Sequence, residues 1–406
     1  MPAAVLLFSY YPADPRPRRA AEALAGEGML VDVICLRRDG ERVRETVNGV
    51  SVLRIPLKRR RGGALAYIVQ YAAFILACGL VLAARSIRTR YRLVHVHNMP
   101  DALVFSALIP KALGAKVVLD LHDPMPELMQ SMFPSRFRGA AVTLLEQLER
   151  WSICFADLVF TVNIACQRIF TSRGCPADKI RVIMNSPDER VFAFKPSTRS
   201  NARSERFVIM YHGSMVERNG LDLAITALPL VRRDVPQAEL RIYGDSTPLL
   251  EKLLAQVERD GLRDAVQYCG ARTLPGIVAA IDDCDVGVIP NRMTTFTEIN
   301  TPTRIFEYLA RGKPVVAGRG AGILDYFPDD ALFFFKLGDV EDLAAAIVRV
   351  AHGRDEVDPV LERGQEIYMR HRWTGQRASL IDSIAGVLTA RPASRRAESH
   401  RDVAVR

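Results

Sequence analysis

The chain has 406 residues, 49% of them hydrophobic and 25% charged, with a formal net charge of +9. That length suits two domains of roughly 150–200 residues, and the composition describes a folded protein with a full core rather than a disordered or fibrous one. The positive balance favours anionic partners (nucleotides, diphosphate-linked substrates, acidic lipid surfaces), and no zinc-finger, helix-turn-helix or aromatic RNA-binding pattern accompanies it, so no nucleic-acid partner is expected.

The opening MPAAVLLFSYYP lacks the basic start and long apolar stretch of a signal peptide and reads as a first strand. Apolar runs predict further strands near 30–36, 93–97, 116–121 and 158–162, with a hairpin over 43–55 turning at Asn48-Gly49. Helices are expected over 18–26, 64–88, 102–113, 139–155 and 164–171. The seven cysteines are dispersed without a CxxC pair, which argues for reduced core thiols in the cytosol and against a structural zinc site.

Residues 64–84, ALAYIVQYAAFILACGLVLAA, are apolar all round except for Gln70 and long enough to span a bilayer. Lys58, Arg59, Arg60 and Arg61 precede them, and Arg85, Arg88 and Arg90 follow. A true span is the weakest reading, because the strands on either side are expected to share one sheet. A core helix buried on several sides is the bland reading, and peripheral association with the inner face of the cell membrane is the expectation. The functional reading docks the helix on that surface through 58–90, and both can hold at once.

The first half is assigned to 1–190. A polar, proline- and serine-punctuated linker follows at 191–205, and a second α/β series occupies 206–375 with strands near 207–211, 239–243, 265–269, 286–290, 314–317 and 332–335. A last helix, 376–390, is expected to cross back onto the first half, and 391–406 to form a disordered tail. Two α/β doubly wound parallel-sheet halves with a cleft between them is the predicted architecture. No GxGxxG and no GxxxxGK[ST] appears, which weighs against a dinucleotide dehydrogenase and a P-loop ATPase.

Four clusters carry chemistry. TPTRIFEYLARGKPVVA, residues 301–317, predicts a helix opening at Pro302, capped by Thr301 or Thr303 and ended by Gly312 before a buried strand. Arg304 and Glu307 then lie one turn apart, about 4.5 Å along the axis, a spacing that suits the phosphates and ribose of a nucleoside diphosphate. The bland reading is a surface ion pair worth a few tenths of a kcal/mol. In VVLDLHDPMPEL, His122 and Asp123 follow a strand that ends at the cleft, where an imidazole can bond a sugar hydroxyl and a carboxylate can deprotonate an acceptor; capping or turn-lining is the bland reading. HVHNMPD, residues 95–101, ends the neighbouring strand, although capping by any one of its polar groups is the stronger expectation. HGSMVERNG, residues 212–220, offers Gly213 for close backbone approach and Arg218 for a phosphate.

In order, the strand–Gly–loop–Arg–Gly–helix at 211–220, IMNSPDERVF at the crossing, YGD after the next strand and PTRIFEYLARGKPVVA form a pattern that resembles glycosyltransferase family 4, retaining enzymes of the two-Rossmann GT-B architecture. The resemblance covers nearly the whole chain and is strongest over 211–317. It implies transfer from a nucleoside-diphosphate sugar bound in the second half to a glycan or lipid-linked acceptor in the first, with no metal and no other cofactor. It implies catalytic roles for His122, Asp123 and Arg304. With the clusters read above, the expected donor side is Gly213, Arg218, Arg304, Glu307, Glu298 and Thr301, and the expected acceptor side His97, Asn98 and Glu127. The chain departs from the family where a paired glutamate normally stands: Ile299 is eight residues before Glu307, with Glu298 beside it. Ser214 and Asn219 also replace the family's usual basic pair, with Arg218 adjacent. Two other readings stay open, a nucleotide-sugar epimerase on the same fold and a non-catalytic, membrane-associated nucleotide-sugar binder.

Overall fold

The computed structural model describes residues 1–58, 63–132, 138–197 and 206–390. The tail at 391–406, Arg59–Arg61 and most of the expected linker lie outside the described residues.

The first lobe is built on an eight-stranded sheet: β1 (Pro2–Leu6), β2 (Leu30–Leu36), β3 (Arg44–Val47), β4 (Val50–Ile55), β5 (Leu93–His97), β6 (Lys116–Leu121), β7 (Leu158–Thr161) and β8 (Ile180–Val182). Their spatial order is β3-β4-β2-β1-β5-β6-β7-β8, parallel throughout except for the β3–β4 hairpin. That hairpin turns where expected, with Asn48 and Gly49 at φ 51° and 78°, the left-handed pair such turns need. The short β8 is additional to the expected strands, because three residues are too few for alternation to register in sequence. The expected helix 102–113 is instead a 3-10 stretch, Asp101–Ala107, running into Leu108–Ala112.

The second lobe carries β9 (Phe207–His212), β10 (Ala238–Tyr243), β11 (Val266–Gly270), β12 (Val286–Ile289), β13 (Val315–Gly318) and β14 (Phe333–Phe335), all parallel in the order β11-β10-β9-β12-β13-β14. In both sheets the strand order reverses direction beside the first strand of the lobe, so both lobes are doubly wound and open a crevice at the strand carboxyl ends. The α/β GT-B architecture of two Rossmann-like lobes is therefore the observed one.

Two stretches of chain join the lobes. Around residues 183–192 the first crossing is held by Arg16 Nη1 on the Ile183 carbonyl at 2.9 Å and by Arg19 on Ser186 and Asn185. The return crossing leads into the helix Trp373–Thr389, whose Leu380 and Ile384 are buried with Ala20, Ala21 and Leu24 of the helix Pro15–Gly26. Thus the end of the chain completes the core of the first lobe.

The apolar helix Ala64–Ser86 departs from the core-helix reading. Phe74, Cys78 and Leu82 form one buried stripe at i, i+4, i+8, yet only 17% of its most apolar window is buried. Leu65, Ile68, Leu76 and Leu80 remain 74%, 62%, 65% and 63% exposed. The sheet supplies a groove for one face of this helix and nothing for the rest. Because β4 and β5, on either side of it, share one sheet, the helix lies along the lobe and does not thread a bilayer.

One contact positions the helix Thr303–Ala310 under the second sheet. A Cβ at Gly287 would meet the Tyr308 ring at 2.3 Å, so β12 needs glycine there for the ring to seat. Gly287→Ala is expected to lower stability by about 1–3 kcal/mol, the usual overpacking cost. Chemical denaturation checks this, and an unchanged midpoint contradicts the seating argument.

Candidate active site

The donor-side residues assemble at the carboxyl end of β9. His212, the last residue of that strand, is paired in register with Tyr243 of β10. Gly213 follows at φ +128°, a conformation side-chain-bearing residues rarely adopt, and a Cβ there would lie 3.3 Å from Arg304 Nη1. Arg304 Nη1 donates to the His212 carbonyl at 2.6 Å, and its guanidinium lies 5.1 Å from the Tyr211 ring centre. Glu307 Oε2 is 2.6 Å from His212 Nε2. Among the described residues Arg304 and Glu307 form no ion pair, so the bland reading of their spacing does not hold.

The helix itself begins at Thr303, with Pro302 at the cap position and no side chain capping its free amides. Thr301, expected as a cap and as a donor-side residue, has its hydroxyl committed elsewhere: it donates to the Gly322 carbonyl at 2.6 Å and accepts from Asn163 Nδ2 at 3.1 Å. The helix ends as expected, with Gly312 at φ 67° and the Lys313 amide on the Tyr308 carbonyl at 3.0 Å.

Arg218 occupies a 3-10 turn, Glu217–Asn219, closed by Gly220 at φ 65°. A Cβ at Gly220 would lie 1.8 Å from the Pro290 carbonyl oxygen, so the turn is pressed onto the end of β12. The guanidinium lies 5.4 Å from the Phe296 ring centre and, among the described residues, has no carboxylate within ion-pairing distance. Burial lowers its pKa, while the charge of Asp123 on the opposite lobe pulls the other way. A half-buried cation and a half-buried carboxylate thus face one another across the crevice. Glu298 stands exposed on the short helix Thr295–Ile299, which touches the helix Met125–Met132 of the first lobe.

On the first lobe, His122 and Asp123 form the loop after β6, and Asn98 braces them. Its Nδ2 donates to the Asp123 carbonyl at 2.7 Å and to Asp101 Oδ1 at 3.0 Å, and its Oδ1 accepts from the His122 amide at 3.2 Å. Asn98, expected on the acceptor side, therefore spends its amide on the loop. His97 is corrected likewise: it is 1% exposed, and burial beside His95 lowers its pKa to about 3, so the ring stays neutral and out of reach of a substrate. Glu127 also loses its expected role, because Arg173 takes both its carboxylate oxygens and Glu149 as well.

Beneath His122 lies a buried charge pair that sequence reasoning missed. The β5–β6 register sets His97 beside Asp120, and Arg16 bonds both Asp120 oxygens at 2.8–3.0 Å. The Arg16 guanidinium holds the Asp120 carboxyl well below the usual range despite complete burial. His95, His97 and Asp120 place one ligand atom each within 4.8 Å of one another, but the guanidinium already neutralises the carboxylate and makes this a cation-filled site. His212 and Asn163 were also missed. Asn163 caps the helix Ile164–Ser172 and donates to the Ile299 carbonyl across the crevice at 2.8 Å. Both residues act on partners more than 90 positions away, which no local pattern records.

Residues 13–186 match the family model of a glycosyl transferase 4-like domain, and residues 206–352 that of glycosyl transferases group 1. The amylovoran biosynthesis glycosyltransferase AmsK of Erwinia amylovora is 26% identical over 246 residues, 58% of this chain and 59% of that protein. A GDP-mannose-dependent alpha-(1-6)-phosphatidylinositol monomannoside mannosyltransferase of Mycolicibacterium smegmatis is 28% identical over 326 residues, 74% of this chain and 80% of that one. In fold, the sucrose-phosphate synthase of Thermosynechococcus elongatus superposes with a TM-score of 0.77 at 17% identity, covering 95% of this chain and 98% of the other.

The Arg16–Asp120 pair makes a stability prediction. Arg16→Leu should cost about 3–5 kcal/mol by stranding a buried carboxylate, and adding Asp120→Asn should recover part of it. Denaturation of the single and double variants tests this; a single variant as stable as wild type contradicts the pairing.

Proposed function

This chain belongs to the glycosyltransferases of family 4, on the GT-B fold, and from that premise we propose that it moves a sugar from a nucleoside-diphosphate sugar to an acceptor hydroxyl with retention at the anomeric carbon. The observation that carries the reading is the placement of Arg304 and Glu307 on one helix face at the carboxyl end of β9, each held by His212 and neither paired with the other. Glu307 then takes the ribose, and Arg304, with the uncapped amides of its helix, takes the diphosphate. Arg218 is the second cation for the same diphosphate.

As the bond from the anomeric carbon to the phosphate oxygen breaks, its electron pair passes to the diphosphate. The two cations stabilise that growing charge more than they stabilise the ground state. The acceptor oxygen bonds the anomeric carbon on the face the diphosphate leaves, and its proton passes to the departing phosphate oxygen. His122 and Asp123, across the crevice from Arg218, orient the sugar and the acceptor hydroxyl. The reading requires no metal, since side-chain cations and amides supply the charge.

The acceptor proposed is a lipid-linked glycan of surface-polysaccharide assembly, met on the inner face of the cell membrane. Support comes from the uncovered apolar face of the helix Ala64–Ser86 and from exposed Leu108 and Ile109 of the helix Leu108–Ala112 packed beside it, with Leu113 just past its end. Arg88, Arg90 and Arg92 are exposed at its end, and residues 46–100 contain no Asp or Glu. An apolar stripe with exposed arginines at its end suits an anionic bilayer surface. The relatives named for amylovoran biosynthesis and for a phosphatidylinositol mannoside fit an acceptor of this class.

Glu307→Ala and Arg304→Ala are each expected to weaken donor binding or turnover at least about tenfold with the fold intact. A thermal-shift screen across UDP-, GDP-, TDP- and ADP-sugars identifies the donor for that assay, and near-normal kinetics in both variants remove the assignment. Replacing Ile68, Leu76 and Leu80 together by Gln should abolish sedimentation with phosphatidylglycerol vesicles while leaving donor binding unchanged. Equal sedimentation of wild type and variant contradicts the membrane reading.

A further inference from the structure

Arg304 and Glu307 carry opposite charges one helical turn apart, a spacing at which such side chains ordinarily meet. What keeps them apart is a single residue. His212 offers its backbone carbonyl to Arg304 Nη1 at 2.6 Å and its ring Nε2 to Glu307 Oε2 at 2.6 Å. Its other ring nitrogen, Nδ1, lies 2.8 Å from the Tyr308 hydroxyl, which in turn lies 2.9 Å from the Met210 carbonyl.

Counting donors along this chain gives the order of its hydrogen bonds. A carbonyl only accepts, so the single Tyr308 hydroxyl hydrogen goes to Met210, and burial keeps that phenol protonated. The Tyr308 oxygen must then accept from His212 Nδ1–H. Nδ1 therefore carries a hydrogen, and the contact of Nε2 with Glu307 contains a second one, since two bare acceptors do not approach to 2.6 Å. One hydrogen therefore lies between the ring nitrogen and the carboxylate oxygen.

We propose that His212 is a positioning residue for the donor site: it binds and fixes Glu307 so that the charge of Arg304 stays available to the diphosphate. Through Oε2 the carboxylate is anchored, and through Oε1 it is presented to a ribose hydroxyl. Among the described residues Arg304 has no ion-pair partner, so its cation is not compensated before the ligand arrives. Without the ring, Glu307 is released to swing onto Arg304, and each group cancels the other at the place where a nucleotide needs both. This inference rests on the donor-site reading of Arg304 and Glu307 and adds a residue that the helix motif does not contain.

The test is calorimetric titration of UDP, GDP, TDP and ADP into the full-length protein and its variants. His212→Phe keeps a flat ring without donors and should weaken the nucleotide that wild type binds by about tenfold, one charge-assisted hydrogen bond's worth. His212→Gln retains an N–H donor for Glu307 and should recover most of that loss. In a Glu307→Ala background, His212→Phe should cost no more than about twofold further, because the group it positions is gone. With substrate turnover as readout, the loss should appear in the donor KM, with the acceptor KM unchanged. Should His212→Phe fail to fold, His212→Met takes its place against His212→Gln. Wild-type affinity in the donor-free variants, or a full additional loss in the Glu307→Ala background, overturns the proposal while leaving the donor site standing. If wild type binds none of the four nucleotides, the donor-site reading itself falls, and this inference with it.

Discussion

The seating of Tyr308 is the constraint on which the donor site depends. Its ring lies where only a glycine at position 287 leaves room, and its hydroxyl reaches the Met210 carbonyl at 2.9 Å. Those two contacts tie the helix Thr303–Ala310 to β12 and β9 at once. With the helix fixed, Arg304 and Glu307, which both precede the anchor on the same helix, reach His212 at the end of β9. A buried ring packed to its van der Waals limit has few alternative placements, so the polar groups beside it inherit its precision.

Charge is handled differently in the core and at the crevice. In the first lobe Arg16 is matched with Asp120, and Arg173 with Glu127 and Glu149. Such pairs hold loops and crossings in place, as Arg16 does by also gripping the Ile183 carbonyl. At the crevice Arg218 and Arg304 have no ion-pair partner among the described residues. Two unmatched cations at one end of the crevice concentrate positive potential there. That potential suits a diphosphate whose charge grows during reaction.

The helix Ala64–Ser86 shows the same division between what the fold uses and what it leaves. Its buried stripe of Phe74, Cys78 and Leu82 closes one face of the first sheet. Tyr71, Ile75, Ala77 and Val81 pack at the edge of that stripe, while Leu65, Ile68, Leu76 and Leu80 sit in the open. Both lobes nevertheless form one unit, because the helix Trp373–Thr389 returns to bury Leu380 and Ile384 against the first lobe.

Alternation and punctuation in the sequence determined the two parallel α/β series, the Asn48-Gly49 hairpin, and a helix ended by Gly312 that bears Arg304 and Glu307. These are local properties, set by side-chain periodicity and by which residues tolerate a left-handed backbone. The apolar character of 64–84 was equally legible, but whether it faced core or solvent was not, since burial depends on what the rest of the chain places against it. Sequence alone likewise suggested His97, Asn98 and Glu127 for ligand contact. Only the tertiary structure decided that they serve Asp120, the His122 loop and Arg173 instead. The pairing of His212 with Glu307, and of Arg16 with Asp120, joins residues about a hundred positions apart. Strand order brings such partners together, and hydrogen bonds act only over a few ångströms of space, so their spacing along the chain carries no trace of the contact.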